Sequence, residues 1–191
     1  MKNLIQKIVG VIFLFTLLSF DLPSGWIVAG SHPENYKMGL AKAEGMNGSN
    51  AASIQSTCKK CEGFGTLMQK IVADNYLGKK VKLSGFLKSE DVKDWSGFWM
   101  RVDGKSSSDV LSFDNMQDRA IKGTTDWQQY EIILDVPQKA TAIFYGVLLN
   151  GSGKVWIDDL KFEIIGEASK IEKDTKIKKP LDKPINLNFE D

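Results

Sequence analysis

Short runs rich in Val, Ile, Phe, Trp and Tyr recur from residue 25 to residue 165, each bounded by clusters of Gly, Asn, Asp and Ser, and helical periodicity is scarce. Side chains on a strand alternate between two faces, so this pattern restricts the chain to β architecture. The runs 26–29, 52–56, 67–72, 80–88, 96–103, 111–114, 129–135, 141–149 and 155–164 read as strands. Nine short strands suit an all-β, two-sheet antiparallel sandwich.

Several runs alternate cleanly enough for faces to be assigned. Across 80–88, Val81, Leu83, Gly85 and Leu87 share one face and Lys80, Lys82 and Ser84 the other, so the first set is predicted core. Across 97–103, Phe98, Met100 and Val102 fit the core, which leaves Trp99, Arg101 and Asp103 on an outer surface. In the last run, V-W-I-D-D-L-K-F-E at 155–163, Trp156, Leu160, Phe162 and Ile164 read as an inner row interrupted by Asp158, and a carboxylate there needs a partner. The Asn150-Gly151-Ser152-Gly153 stretch reads as a hairpin loop.

The ends differ in composition from this middle. Lys2 and Lys7 precede an apolar run at 8–20, closed by Asp21 and Pro23. That length is short of the roughly 20 residues of a spanning helix but matches the h-region of a signal peptide. Residues 1–24 are therefore expected to be a signal peptide or an N-terminal membrane anchor, placing the protein outside the cytoplasm, either secreted or anchored at the extracytoplasmic face. The sandwich is assigned to 25–166. Residues 167–184 are rich in Lys, Glu, Asp and Pro and read as a charged, solvated linker. The alternating I-N-L-N-F-E after it makes 185–191 an expected returning strand that completes a sheet.

A net charge of +1 supplies no field to recruit polyanions, which argues against nucleic acid as a partner. Cys58 and Cys61, in C-K-K-C, are the two cysteines. This spacing closes a small disulfide loop in an exported protein, or forms a redox or metal half-site in a cytosolic one. The loop pair is favoured, since zinc wants about four N or S ligands and His32 is the sole histidine.

A set of segments carries a resemblance: G-S-H-P-E-N-Y at 30–36, F-G-T-L-M-Q at 64–69, L-S-G-F-L-K at 83–88, W-S-G-F-W-M-R-V-D at 95–103, F-D-N-M at 113–116, G-T-T-D-W at 123–127, G-V-L-L-N-G-S-G-K-V-W-I-D-D at 146–159 and the closing P-I-N-L-N-F-E-D. The chain resembles stand-alone bacterial jelly-roll modules of the galactose-binding-like, carbohydrate-binding-module-like type, often labelled AraC-type transcriptional regulators. The resemblance implies a jelly-roll β-sandwich that binds a ligand. It also implies a structural Ca²⁺ where the opening and closing strands meet, with Asp158, Asp159 and Glu190 as ligands; the alternative is that the aspartates only charge a sheet edge. No helix-turn-helix pattern occurs in the sequence, so a regulatory role would be ligand sensing without DNA-binding capacity of its own.

Trp95, Trp99, Arg101, Asp114 and Asn115, with Gln69 as an addition, form the expected ligand site. Sugars present C–H faces and rings of hydroxyls, and this set offers aromatic platforms together with planar donors and acceptors. The competing reading packs both tryptophans under loops and pairs Arg101 with Asp103 or Asp114. No nucleophile elbow, metalloprotease helix or phosphate loop is present, and Asp103 with Asp114 is the one carboxylate pairing near the aromatics that a glycoside-acting enzyme could use. The favoured function is a non-catalytic, exported carbohydrate-binding module.

Overall fold

The computed structural model describes residues 21–169. Nine strands occur in the order β1 Ile27–Gly30, β2 Tyr36–Ala41, β3 Ala51–Ser56, β4 Phe64–Val72, β5 Lys79–Asp103, β6 Val110–Asp114, β7 Ile121–Asp135, β8 Ala142–Asn150 and β9 Lys154–Glu167. All their pairings are antiparallel. Hydrogen bonds join all nine strands into one continuous sheet, which the long β5 divides into two layers, β1–β4–β8–β5–β6 and β2–β3–β9–β5–β7, with β5 common to both.

The predicted runs 80–88 and 96–103 are both present, joined as the two halves of the 25-residue β5. Residues 79–90 pair with β9, and 95–103 pair with β8. A strand can serve two layers only if it bends, and bends are made by bulges. Here the register against β7 shifts three times between Leu87 and Ser96, and Asp91 takes φ 53°. The fully buried Ser89 stitches the corner: its Oγ lies 3.1 Å from Gly123 O and 2.9 Å from Thr125 Oγ1.

The assigned core faces meet between the layers. Val81, Leu83, Leu87, Phe98, Met100 and Val102 are all fully buried, in one cluster with Ile54 and Ile157 from one layer and Leu67, Ile143 and Val147 from the other. β2 was not expected, although Tyr36, Met38 and Leu40 alternate; Gly39 and Lys37 between them dilute the apolar run. Tyr36 locks this strand to two connections, with its hydroxyl 2.7 Å from Gly63 O and 3.0 Å from Gly151 O.

Two expectations are corrected. The inner row of β9 is not Trp156, Leu160, Phe162 and Ile164. Ser84 and Phe86 of β5 stand opposite Lys161 and Asp158, so one residue of β5 faces two of β9, and Asp159 at φ 47° forms the bulge. Because the side-chain period is two, the extra residue exchanges the faces. Val155 and Ile157 point to the main core before the bulge, Leu160 and Phe162 pack against it afterwards, and Ile164 is half-exposed. Trp156 lies on the outer face in a separate small cluster with Ala41, Ala51 and Trp127. The loop 151–153 is likewise no hairpin: β8 and β9 lie in different layers, and the loop arches between them.

The expected signal peptide or anchor at 1–24 falls almost entirely outside the described residues, and so do the linker beyond 169 and the strand at 185–191. Among the described residues no helix is long and apolar enough to cross a membrane.

Candidate functional site

The outer face of the first layer is built from cross-strand rows. Residues of even number on β4 and β8 share this face with residues of odd number on β5, because Phe98, Met100 and Val102 turn the other way into the core. Register then gives the rows: Trp95, Asn150 and Phe64; Gly97, Leu148, Thr66 and Ala29; Trp99, Gly146 and Met68; and Arg101, Phe144 and Lys70, with Phe113 of β6 on the far side of Arg101. A cleft of about 440 Å³ runs over these rows and is lined by Trp95, Trp99, Arg101, Asn115, Phe64, Thr66 and their neighbours. Successive rows are roughly 6.7 Å apart, so Trp95 and Arg101 stand roughly 20 Å apart along β5.

Trp99 forms the floor. Its Nε1–H donates to Thr66 Oγ1 at 2.8 Å, although Thr66 lies two strands away. Neighbouring strands are about 4.8 Å apart, so the bond exists only if the indole lies down across β8. The β8 residue under it is Gly146, and a Cβ there would stand 2.1 Å from Leu67 O and 2.8 Å from Met68 Cα. Thr66 is buried, and its own O–H donates a hydrogen bond to Val147 O at 2.6 Å. The tryptophan plane is thus fixed at both ends, by its backbone and by a buried hydroxyl.

Arg101 closes one end of the cleft. Its guanidinium stacks on Phe144 at 5.1 Å and donates to Asp103 at 2.8 Å; the Asp103 side chain is 5% exposed. The pairing considered in the sequence, Arg101 with Asp103, is therefore real, yet Arg101 also lines the cleft. The two roles do not exclude each other, because a guanidinium offers five N–H donors.

Other predicted residues separate from this group. Asp114 turns away from the tryptophans and takes both terminal nitrogens of Arg119, at 2.7 and 3.1 Å, and the Met116 N–H at 2.8 Å. Burial raises its pKa, but the Arg119 bonds, the Met116 N–H and the Arg119 charge together outweigh burial and hold the carboxyl below the usual range. Gln69 is on the inner face of β4, where its Oε1 accepts from the Tyr145 hydroxyl at 2.6 Å, in a separate groove with Trp26, Leu160 and Phe162. Asp103 and Asp114 are each engaged by a different arginine, so the carboxylate pairing considered in the sequence is not the arrangement found. His32 pairs with Glu34 at 2.9 Å on an exposed turn.

Of the three residues expected to hold calcium, Asp158 and Asp159 are among the described residues. Asp158 is on the outer face, where Oδ2 accepts from Met46 N–H and Ser49 Oγ–H, both at 2.8 Å, and so anchors the loop 45–49. Asp159 pairs with Lys161 at 3.1 Å, and Glu190 lies outside the described residues. Among the described residues no group of three His, Cys, Asp or Glu is placed to hold a metal ion. Cys58 and Cys61 are joined as a disulfide with Cα atoms 5.4 Å apart. The connection carrying them leads into Phe64 of the cleft wall.

The sequence reading missed Phe64, Thr66, Phe113, Phe144 and Asn150. Their alternation was visible, but which residues on separate strands become neighbours depends on register, and alternation does not supply it.

The chain matches no protein-family model. It is 42% identical over 171 residues to YbfP of Bacillus subtilis, named as an uncharacterised HTH-type transcriptional regulator; the match covers 87% of this chain and 57% of that protein, so the chain spans little more than half of its relative. Among solved structures, the xylan-binding CBM22-1 domain of Paenibacillus barcinonensis Xyn10C superimposes with a TM-score of 0.55 at 12% identity, over 78% of this chain and 90% of that one. The C-terminal family 22 carbohydrate-binding module of Clostridium thermocellum Xyn10B gives 0.52 at 14% identity, over 77% and 89%. At such identities the likeness concerns the fold alone, the antiparallel jelly-roll β-sandwich that these carbohydrate-binding modules share.

Proposed function

We propose that this chain is a non-catalytic ligand-binding module whose cleft takes a carbohydrate. The observation that carries the reading is Trp99, held flat across β8 by its bond to Thr66 in a cleft it shares with Trp95. A fixed aromatic plane stacks on the C–H face of a pyranose without losing side-chain entropy on binding, and the amides of Asn115 and Asn150 supply planar donors and acceptors for hydroxyls. The xylan-binding module of the same fold supports the class of ligand. The apolar run at 8–20 and the Cys58–Cys61 disulfide support export. Affinity electrophoresis in gels containing soluble polysaccharides tests the reading: the wild type is retarded by at least one of them and Trp99→Ala is not. Equal mobility of both proteins in every gel counts against it.

A second reading, a ligand-sensing domain of a regulatory system, is favoured by the similarity to YbfP. It uses the same cleft and adds a protein partner. Its test is a pull-down from membranes of the source cell with and without sugar: a partner whose capture depends on ligand is expected, and recovery of no partner opposes it.

A further inference from the structure

We infer that the Arg101 end of the cleft recognises an acidic sugar, so that the preferred ligand is an oligosaccharide carrying a carboxylate, of the uronic acid type; this rests on the carbohydrate reading above. Among the residues lining the cleft, Arg101 is the one charged side chain. Phe144 lies between two cations, with the Arg101 guanidinium 5.1 Å from its centroid and Lys70 Nζ 5.3 Å from it. Asp103 offsets one of these charges, leaving the fourth row with an excess of one positive charge. That bond, made through Nη2, is the one side-chain hydrogen bond of Arg101 among the described residues; its Nε–H is buried away from the cleft, but the side chain is 33% exposed, which leaves its outer terminal donors open to a ligand. A cation whose donors are unspent, in surroundings of Phe144, Phe113, Met68 and Trp99, favours an anionic acceptor, because a carboxylate accepts the planar fork of an arginine in two places.

The opposite end has the opposite polarity. Asp94 lies 3.4 Å from the Asn150 amide beside Trp95. A carboxylate is repelled there and attracted at Arg101, which sets the direction in which a chain lies along β5. Roughly 20 Å separates the two ends, so several sugar rings fit between them, with Trp95 and Trp99 beneath the central ones.

The experiment is calorimetric titration of the full chain with tetragalacturonate, with neutral xylotetraose and cellotetraose, and with a sulfated tetrasaccharide, at low and at physiological salt. Tetragalacturonate is expected to bind at least about tenfold more tightly than either neutral sugar, with the advantage shrinking as salt rises. Reversing the exposed rim charge with Lys70→Glu brings the acidic-to-neutral ratio down toward one. The double variant Arg101→Met with Asp103→Asn removes both members of the buried pair, leaves no unpaired buried charge, and abolishes the preference. Neutral sugars binding as well as or better than the uronate overturn this inference and leave the carbohydrate reading standing. Preference for the sulfated sugar alone overturns the carboxylate assignment, and silence from every sugar overturns both readings.

Discussion

Replacing Thr66 by Val tests whether the tryptophan floor is held as described. The two side chains have nearly the same volume, so no cavity opens at a position that is 2% exposed. What disappears is a hydroxyl that accepts from Trp99 Nε1–H at 2.8 Å and donates to Val147 O at 2.6 Å. Each such bond contributes about 0.5–1.5 kcal/mol, and an indole N–H left facing a methyl group adds its desolvation penalty, so the loss is about 2 kcal/mol. For a chain of this size that lowers the melting temperature by roughly 4–8 °C. Urea denaturation gives the free energy, and exchange of the Trp99 indole proton, slow in the wild type, becomes fast in the variant. Sugar affinity falls as well, because the ring is no longer oriented. Thr66→Ser keeps the hydroxyl and should keep both the slow indole proton and the affinity, at a cost of about 1 kcal/mol for the lost methyl. A Thr66→Val protein within about 0.5 kcal/mol of wild type, with a protected indole proton and unchanged binding, would refute the reasoning.

Gly146→Ala should be more damaging than its size suggests, because the new methyl meets the β4 backbone at Leu67 and Met68; a loss of about 3 kcal/mol in urea denaturation is expected, and a neutral substitution contradicts the close approach. Asp158→Ala removes the acceptor for Met46 N–H and Ser49 Oγ–H and should cost about 1–2 kcal/mol while speeding amide exchange in the loop 45–49; unchanged exchange there denies the anchoring role. Asp114 has a carboxyl held below its usual range, so its stabilisation is present above the unfolded pKa of about 3.9 and is lost as the pH falls through the folded value. The stability gap between wild type and Asp114→Asn, measured by urea at neutral pH and again well below about pH 3, should narrow on acidification, and a constant gap would contradict the Arg119 pairing.

The core was legible because strands with one buried face announce it by alternation: Phe98, Met100 and Val102 are buried as read from the sequence alone. The bulge at Asp159 was not legible. Two successive aspartates look alike in sequence, and the left-handed backbone of the second is fixed by how β9 meets β5 rather than by local preference. That one residue moved Trp156 from the predicted core to the outer face. The site was half legible for a related reason. Trp95, Trp99 and Arg101 share a strand, so their spacing alone placed them on one face. Thr66, Phe144 and Asn150 join them only through the β4–β8–β5 register. Asp114 was expected in the site as a planar acceptor for hydroxyls, but its carboxylate is taken by Arg119.

The most direct test of the cleft is an amide and indole correlation spectrum of uniformly ¹⁵N-labelled protein titrated with the sugar that retards it in affinity gels. The chain has five tryptophans and so five indole signals. Trp95 and Trp99 are predicted to shift with the Phe64, Thr66 and Asn150 amides, while Trp127 and Trp156, on the other layer, stay in place. Shifts confined to Trp127 and Trp156, with Trp95 and Trp99 unmoved at saturation, would contradict the account.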